Sequence, residues 1–167
     1  VMPRGTLTSS QGGDDKIRTA FLDDDVIECI IDLPSQLFFN TPIPCTLWFF
    51  NNDKSKWKNK RVGQVLFIDA RKMGTAISRT QIEFSDAEIA RISDTFNSWC
   101  DGKYEDIDGF CKSVTREEIA KNGDSLSPGR YIGTEEVESE NDEDFGTRMQ
   151  TLTAQLSEQL EESHRLE

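Results

Sequence analysis

Residues 26–33, VIECIIDL, form a β-branched and almost continuously apolar run. A strand with one wet face alternates polar and apolar residues, whereas a run without alternation is a strand covered on both faces. Such a strand needs neighbouring strands on either side and helices or loops above and below it. Pro34 ends the run, because proline has no backbone donor to give to a sheet. A second apolar run, CTLWFF at residues 45–50, reads as another buried strand. The connection between them is too short for a crossover helix, so the two strands are predicted to pair antiparallel. Residues 65–69 supply a further strand, and residues 1–3 read as the end of one.

Helices are expected around these strands. Asp14 or Asp15 can cap a helix over residues 15–24, with Ile17, Ala20 and Phe21 on its apolar face. Asp23, Asp24 and Asp25 then form a solvated helix end. Ser85 and Glu88 have the spacing of a capping box, and Ile89, Ile92, Phe96 and Trp99 follow as one stripe, which predicts a helix over residues 86–99. A short helix is expected over residues 115–121, and a Pro-Gly turn at Pro128-Gly129 closes the compact part near residue 133. Residues 51–60 are a lysine-rich polar turn. The chain therefore reads as α/β, with helices on the faces of a sheet.

The formal charge of −12 is unevenly spread. Residues 134–167 carry 11 acidic and 2 basic side chains, and seven of the acidic ones fall within residues 135–144. That stretch reads as a solvated linker over residues 134–144. Beyond it, over residues 145–167, Phe145, Met149, Leu152, Leu156 and Leu160 recur every three or four residues. This is a narrow amphipathic stripe, expected to dock on a partner surface. A chain this acidic does not bind duplex DNA tightly by itself, since phosphate neutralisation supplies much of that affinity. An acidic interaction protein that mimics DNA is the other reading of the charge. A mimic arrays its carboxylates on a folded surface, however, and here they gather in a linker.

Little else in the sequence carries chemistry. Cys29, Cys45, Cys100 and Cys111 include no C-x-x-C pair and read as buried free thiols in a reducing cytoplasm. His164 is the single histidine, so no zinc site or histidine-based catalysis is expected. Asp101, Glu105, Asp106 and Asp108 resemble a calcium loop only faintly and lack its glycine, so no metal is expected. No apolar stretch reaches the roughly 18 residues of a membrane span. No glycine-rich turn follows a strand, so no nucleotide cofactor is expected to bind here. The chain starts at Val1 within what reads as a strand and closes on Leu166-Glu167, the pattern of an excised piece. One loop stands out, Phe38-Phe39-Asn40-Thr41. Two aromatic residues between apolar strands either plug the end of the sheet or stack on a planar ligand such as a nucleobase.

Six blocks, in order, carry a resemblance. They are Val1-Met2-Pro3-Arg4-Gly5-x-Leu7, Ile17-Arg18 with Leu22, Ile27-Glu28-x-Ile30-Ile31-x-Leu33-Pro34, Leu37-Phe38-Phe39-Asn40-Thr41-x-Ile43-Pro44, Val65-Leu66-Phe67-Ile68-Asp69-Ala70 and Leu126-Ser127-Pro128-Gly129-Arg130-Tyr131. Together they resemble the modification subunit of type I restriction-modification systems, over about residues 1–133. The resemblance implies an adenine-N6 DNA methyltransferase that uses S-adenosylmethionine and works on double-stranded DNA with a specificity subunit and a restriction subunit. It also implies that this chain is the C-terminal part of a Rossmann-like sheet, namely a helix, an antiparallel strand hairpin and an extra strand, then further helices. The hairpin's last strand is then inserted beside the strand ending at residues 1–3.

The family's cofactor turn and its Asn-Pro-Pro-Phe motif match nothing here, so the resemblance implies no catalytic residue, no bound cofactor and no activity for the chain alone. Related adenine methyltransferases set an aromatic residue, just before the hairpin's second strand, against the flipped target base. Phe38 matches that position best and Phe39 next, with Asn40 and Thr41 completing the loop. Pro42 departs from the family, which more often has glycine there. The family's C-terminal helices dock on the specificity subunit, and Met149, Leu152, Leu156 and Leu160 stand in the corresponding place.

Overall fold

The computed structural model describes residues 1–39, 42–56, 60–133, 149, 151–155, 157 and 159. The chain divides into two units, Val1–Gly133 and Thr134–Glu167. The first contains strands β1 (Met2–Pro3), β2 (Ile27–Asp32), β3 (Cys45–Phe50), β4 (Gln64–Asp69), β5 (Thr75–Ser78), β6 (Gln81–Glu83) and β7 (Cys111–Thr115), and helices α1 (Asp14–Asp23), α2 (Asp86–Asp101) and α3 (Arg116–Lys121).

Five strands form one sheet in the order β1-β3-β2-β4-β7. β3 runs antiparallel to both β1 and β2, β2 and β4 are parallel, and β7 is antiparallel to β4. The antiparallel pairing across the short connection is as the sequence predicts, with β3 inserted between β1 and β2. All six residues of β2 are buried, as its unbroken apolar run requires. On one face, Ile27, Ile30, Val65 and Phe67 pack with Leu22 of α1 and Ile119 of α3. On the other, Cys29, Ile31, Leu66 and Ile68 pack with Trp99 of α2 and with Phe110. Phe67 stacks on Tyr131 with ring centroids 4.7 Å apart, so the segment after the Pro-Gly turn closes the first cluster.

A register shift between Ile27 and Cys29 leaves an extra residue, Glu28, on β2. Such a bulge re-aims a side chain. Here the Glu28 carboxylate meets the Arg61 guanidinium, which lies 4.8 Å over the Trp99 ring and is 1% exposed. Asn51 Nδ2 donates to the same Glu28 oxygen at 3.1 Å.

Several local expectations change. α1 buries Arg18 and Leu22 while Ile17 and Phe21 stay exposed. Arg18 is drawn inward because its guanidinium donates to the carbonyls of Asp124, Thr6 and Ser9 at 2.7, 3.2 and 2.9 Å. β3 is not covered on both faces, and Phe49 and Phe50 remain half-exposed. Met2, Ile17, Phe21, Trp48 and Phe50 instead line an open apolar groove of about 350 Å³. The aspartates after α1 are not simply solvated. Asp25 binds Lys54 Nζ at 2.6 Å and the Gly63 N–H at 2.9 Å, while Asp23 accepts from Arg116. Lys54 is thereby buried within the lysine-rich turn. Cys29 and Cys111 are buried free thiols, but Cys45 and Cys100 are only partly covered.

The Ser85–Glu88 capping box forms as the spacing predicts, and Thr115 caps α3 by accepting from the Glu118 N–H. In the second unit, Met149 and residues 151–155 are helical, with Met149 and Leu152 exposed. Leu156, Leu160 and the stretch 134–144 lie outside the described residues.

The buried ion pair gives a direct test. Arg61→Ala strands the Glu28 carboxylate in the core and is expected to lower the unfolding free energy by about 3–5 kcal/mol. Changing both Glu28 and Arg61 to Met is expected to recover most of that loss, as read by parallel urea titrations.

Candidate functional site

β1, β2 and β4 all point the same way, since β1 and β2 each oppose β3 and β2 parallels β4. Ligands of open α/β sheets bind outside the carboxyl ends of such strands. Those ends bring together Arg4 after β1, Asp32 at the end of β2, and Asp69 and Arg71 at and beyond the end of β4. Arg4 Nε donates to Asp32 Oδ1 at 2.7 Å. Arg71 Nε lies 3.6 Å from Asp32 Oδ2 and donates to Asp69 Oδ1 at 2.8 Å.

The two carboxyls respond in opposite senses. Burial pushes Asp32 up, and the hydrogen bond and charge of Arg4, then the charge of Arg71, only partly offset it. Burial also acts against ionised Asp69, but the Arg71 hydrogen bonds and charge outweigh it and hold that carboxyl below the usual aspartate range. The sequence reading assigned none of these four residues to a site, although Arg4 and Asp69 stand in the blocks that carry the resemblance. An acidic residue closing each of two apolar runs, Asp32 and Asp69, was the signal available.

The Phe38 loop rises from this rim. Arg4 ties both of its stems, because its Nη2 donates to the Leu33 carbonyl at 3.0 Å and its N–H to the Pro44 carbonyl at 3.1 Å. Leu33 N–H also donates to the Cys45 carbonyl at 3.0 Å, closing the loop's base. Within it, Leu37 tucks against the α2-side cluster. The next two rings do not. Phe38 is 38% exposed and Phe39 is 78% exposed, so neither ring is buried within this chain's own core. Asn40 and Thr41 lie outside the described residues. The β5–β6 hairpin, absent from the sequence reading, stands beside the loop, and its Ile82 N–H donates to the Gln36 carbonyl at 2.9 Å.

An α/β sheet with an antiparallel strand set between two parallel ones is the arrangement that the resemblance above implies for the closing part of a Rossmann-like methyltransferase sheet. Comparison with known proteins agrees. The family described as N-6 DNA Methylase matches residues 1–140. The methylase subunit of the type I restriction enzyme HindI from Haemophilus influenzae is 44% identical over 169 residues, covering 100% of this chain and 37% of that protein. The MjaIX methylase subunit from Methanocaldococcus jannaschii is 36% identical, over 99% of this chain and 29% of its own length. Among solved structures, the type I restriction-modification methyltransferase subunit from Streptococcus thermophilus superposes with a TM-score of 0.66 at 33% identity, over 80% of this chain and 25% of that one. The EcoKI M protein, at 18% identity and a TM-score of 0.56 over 75% of this chain and 32% of its own, shares the fold.

The chain therefore belongs to the N-6 DNA methylase family, among the methylase subunits of type I restriction enzymes. It spans about a third of the length of the curated relatives named above, 37% of one and 29% of the other. Among the described residues, no helix is long and apolar enough to cross a membrane.

The rim carries a pH signature. Asp69 has a depressed folded-state pKa, so its contribution to stability is present above the ordinary aspartate value of about 3.9 and is lost as pH falls through its lower folded value. Asp69→Asn is expected to remove that part of the acid limb in unfolding experiments run between roughly pH 2 and 5. Asp32, raised instead, contributes most when protonated, and Asp32→Asn is expected to flatten the loss of stability as pH rises through its folded value.

Proposed function

We propose that this chain forms part of a type I DNA adenine-N6 methyltransferase subunit, where it supplies one wall of the target-base pocket and the dock for the specificity subunit. The observation that carries the base-wall reading is the pair of exposed rings, Phe38 and Phe39, in a loop fixed at the carboxyl rim of a buried strand. An enzyme that modifies a base inside a duplex must first extrude it, at a cost of a few kcal/mol. Stacking the freed base on an aromatic ring returns about 1–3 kcal/mol of that, with any base type. Phe38 is the primary stacking ring and Phe39 the second, and Asn40 and Thr41 complete the loop.

The methyl donor in this reading is S-adenosylmethionine, and the residues present do not fit it. No glycine-rich turn follows any of the strands, and the rim charges satisfy one another in the Arg4, Asp32, Asp69 and Arg71 network. The cofactor turn and the Asn-Pro-Pro-Phe motif belong to the portion of the subunit this chain does not span, and the chain alone transfers no methyl group. Double-stranded DNA is reached only within the complex of specificity and restriction subunits, because a chain of formal charge −12 needs basic partners to hold phosphates. The four free thiols fit a cytoplasmic setting. In the second unit, the sequence stripe of Met149, Leu152, Leu156 and Leu160, of which Met149 and Leu152 are exposed, is the dock for the specificity subunit.

Two experiments test this. In the full-length subunit, Phe38→Ala is expected to lower methyl transfer to a cognate duplex by about 5- to 150-fold, the equivalent of one stacking interaction, with S-adenosylmethionine binding retained. Phe38→Trp is expected to keep most of the activity, and unchanged transfer by Phe38→Ala refutes the assignment. Deleting residues 134–167 is expected to abolish co-purification with the specificity subunit while leaving the thermal midpoint of the remainder within a few degrees. Undiminished co-purification refutes the docking role.

A further inference from the structure

Among the described residues, only Asp25, Gln36 and Asp124 combine a side chain with a positive φ, at 52°, 63° and 53°. Aspartate visits this left-handed region comparatively readily, and Asp25 and Asp124 are both held there by ion pairs. Gln36 has neither advantage. Backbone strain of this kind persists only where the surroundings over-determine it, and it gathers at functional sites.

What fixes Gln36 is the β5–β6 hairpin. The Gln36 carbonyl accepts from the Ile82 N–H at 2.9 Å, and its side-chain Nε2 donates to the Arg79 carbonyl at 3.4 Å. The hairpin is itself anchored at its base. Glu88, the capping-box residue of α2, accepts from the Gly74 N–H at 2.6 Å with one oxygen and from the Ser85 N–H at 2.8 Å with the other. Gly74 has φ 92°, and a Cβ placed on it would stand 2.5 Å from Ile82 Cγ2. A chain of contacts thus runs from the start of α2 through the hairpin to Gln36, two residues before Phe38. The hairpin's own residues are mostly exposed, so it contributes little to the core.

We propose that Gln36 is a positioning residue, clamped in its left-handed conformation by the β5–β6 hairpin, and that this clamp sets the Phe38 and Phe39 rings outward for stacking on the target base. The inference rests on the base-wall reading of those rings. It assigns the hairpin the task of preorganising the loop, which lowers the ordering cost of base capture.

The test uses the full-length subunit assembled with its specificity subunit, on a cognate duplex with 5-iodouracil in place of the target adenine. Irradiation joins iodouracil to an aromatic ring stacked on it, and peptide mass spectrometry locates the bond. The wild-type complex is expected to cross-link at Phe38 or Phe39. Gln36→Ala, strained at φ 63° and without the amide, and Gly74→Ala, which collides with Ile82, are each expected to cut the yield at least fivefold. Gln36→Gly tolerates the same φ but lacks the amide, and it is expected to fall between, which covers the case of a variant that does not fold. Duplex affinity by filter retention is expected to stay within twofold throughout. No cross-link at either ring in the wild type overturns the base-wall reading and this inference with it. A wild-type cross-link undiminished in Gln36→Gly and in the folded Ala variants overturns the inference alone.

Discussion

Burial of β2 on both faces is the constraint from which the other features of the sheet follow. A strand covered above and below cannot lie at an edge, so it requires a partner on each side, and β3 and β4 fill those places. It also requires apolar layers on both faces, which α1 and α3 supply on one and α2 on the other. The strand's two polar residues then have nowhere to go without a cation. Glu28 is turned by the bulge onto Arg61, and Asp32 at the carboxyl end is met by Arg4 and Arg71. Ion pairs taken out of water are weak evidence of stability, because desolvation offsets much of their attraction. Their value here is geometric. Arg4 holds both stems of the Phe38 loop, so a buried carboxylate fixes the place from which exposed rings rise.

The chain's acidity and its family are reconciled by where the charge sits. Most of the carboxylates in residues 1–133 that carry structural contacts are paired with arginine or lysine, as at Asp23, Asp25, Asp32, Asp69 and Asp124. The excess is carried by residues 134–167. Residues 1–133 are therefore far closer to neutrality than the whole chain.

How much of this was legible depended on the kind of signal. The unbroken run at residues 26–33 declared a doubly covered strand, and Ser85 with Glu88 declared the start of α2, because each is a local pattern with one dominant physical solution. The antiparallel pairing of β3 with β2 followed from the shortness of one connection, and its insertion beside β1 from the family resemblance. α1 was read on the wrong face, since periodicity ranks Arg18 as polar and does not see three carbonyls waiting for its guanidinium. β3 read as buried because composition reports what a strand is able to bury, not what is present to cover it. The β5–β6 hairpin escaped notice for a different reason. Its short strands are mostly exposed and are held by backbone bonds to Glu88 and Gln36, contacts between residues far apart in sequence that no pattern of side chains records. The exposed Phe38 ring was legible as a candidate, while the clamp behind it was not.

The insertion of β3 also sets an order of assembly. β1 and β2 are held two ladder spacings apart, roughly 9–10 Å, by the strand that separates them. Neither can bond to the other in the final arrangement. Among the described residues β1 pairs only with β3, so the amino-terminal strand joins the sheet no earlier than residues 45–50 do, across the 44 residues that separate Met2 from Thr46.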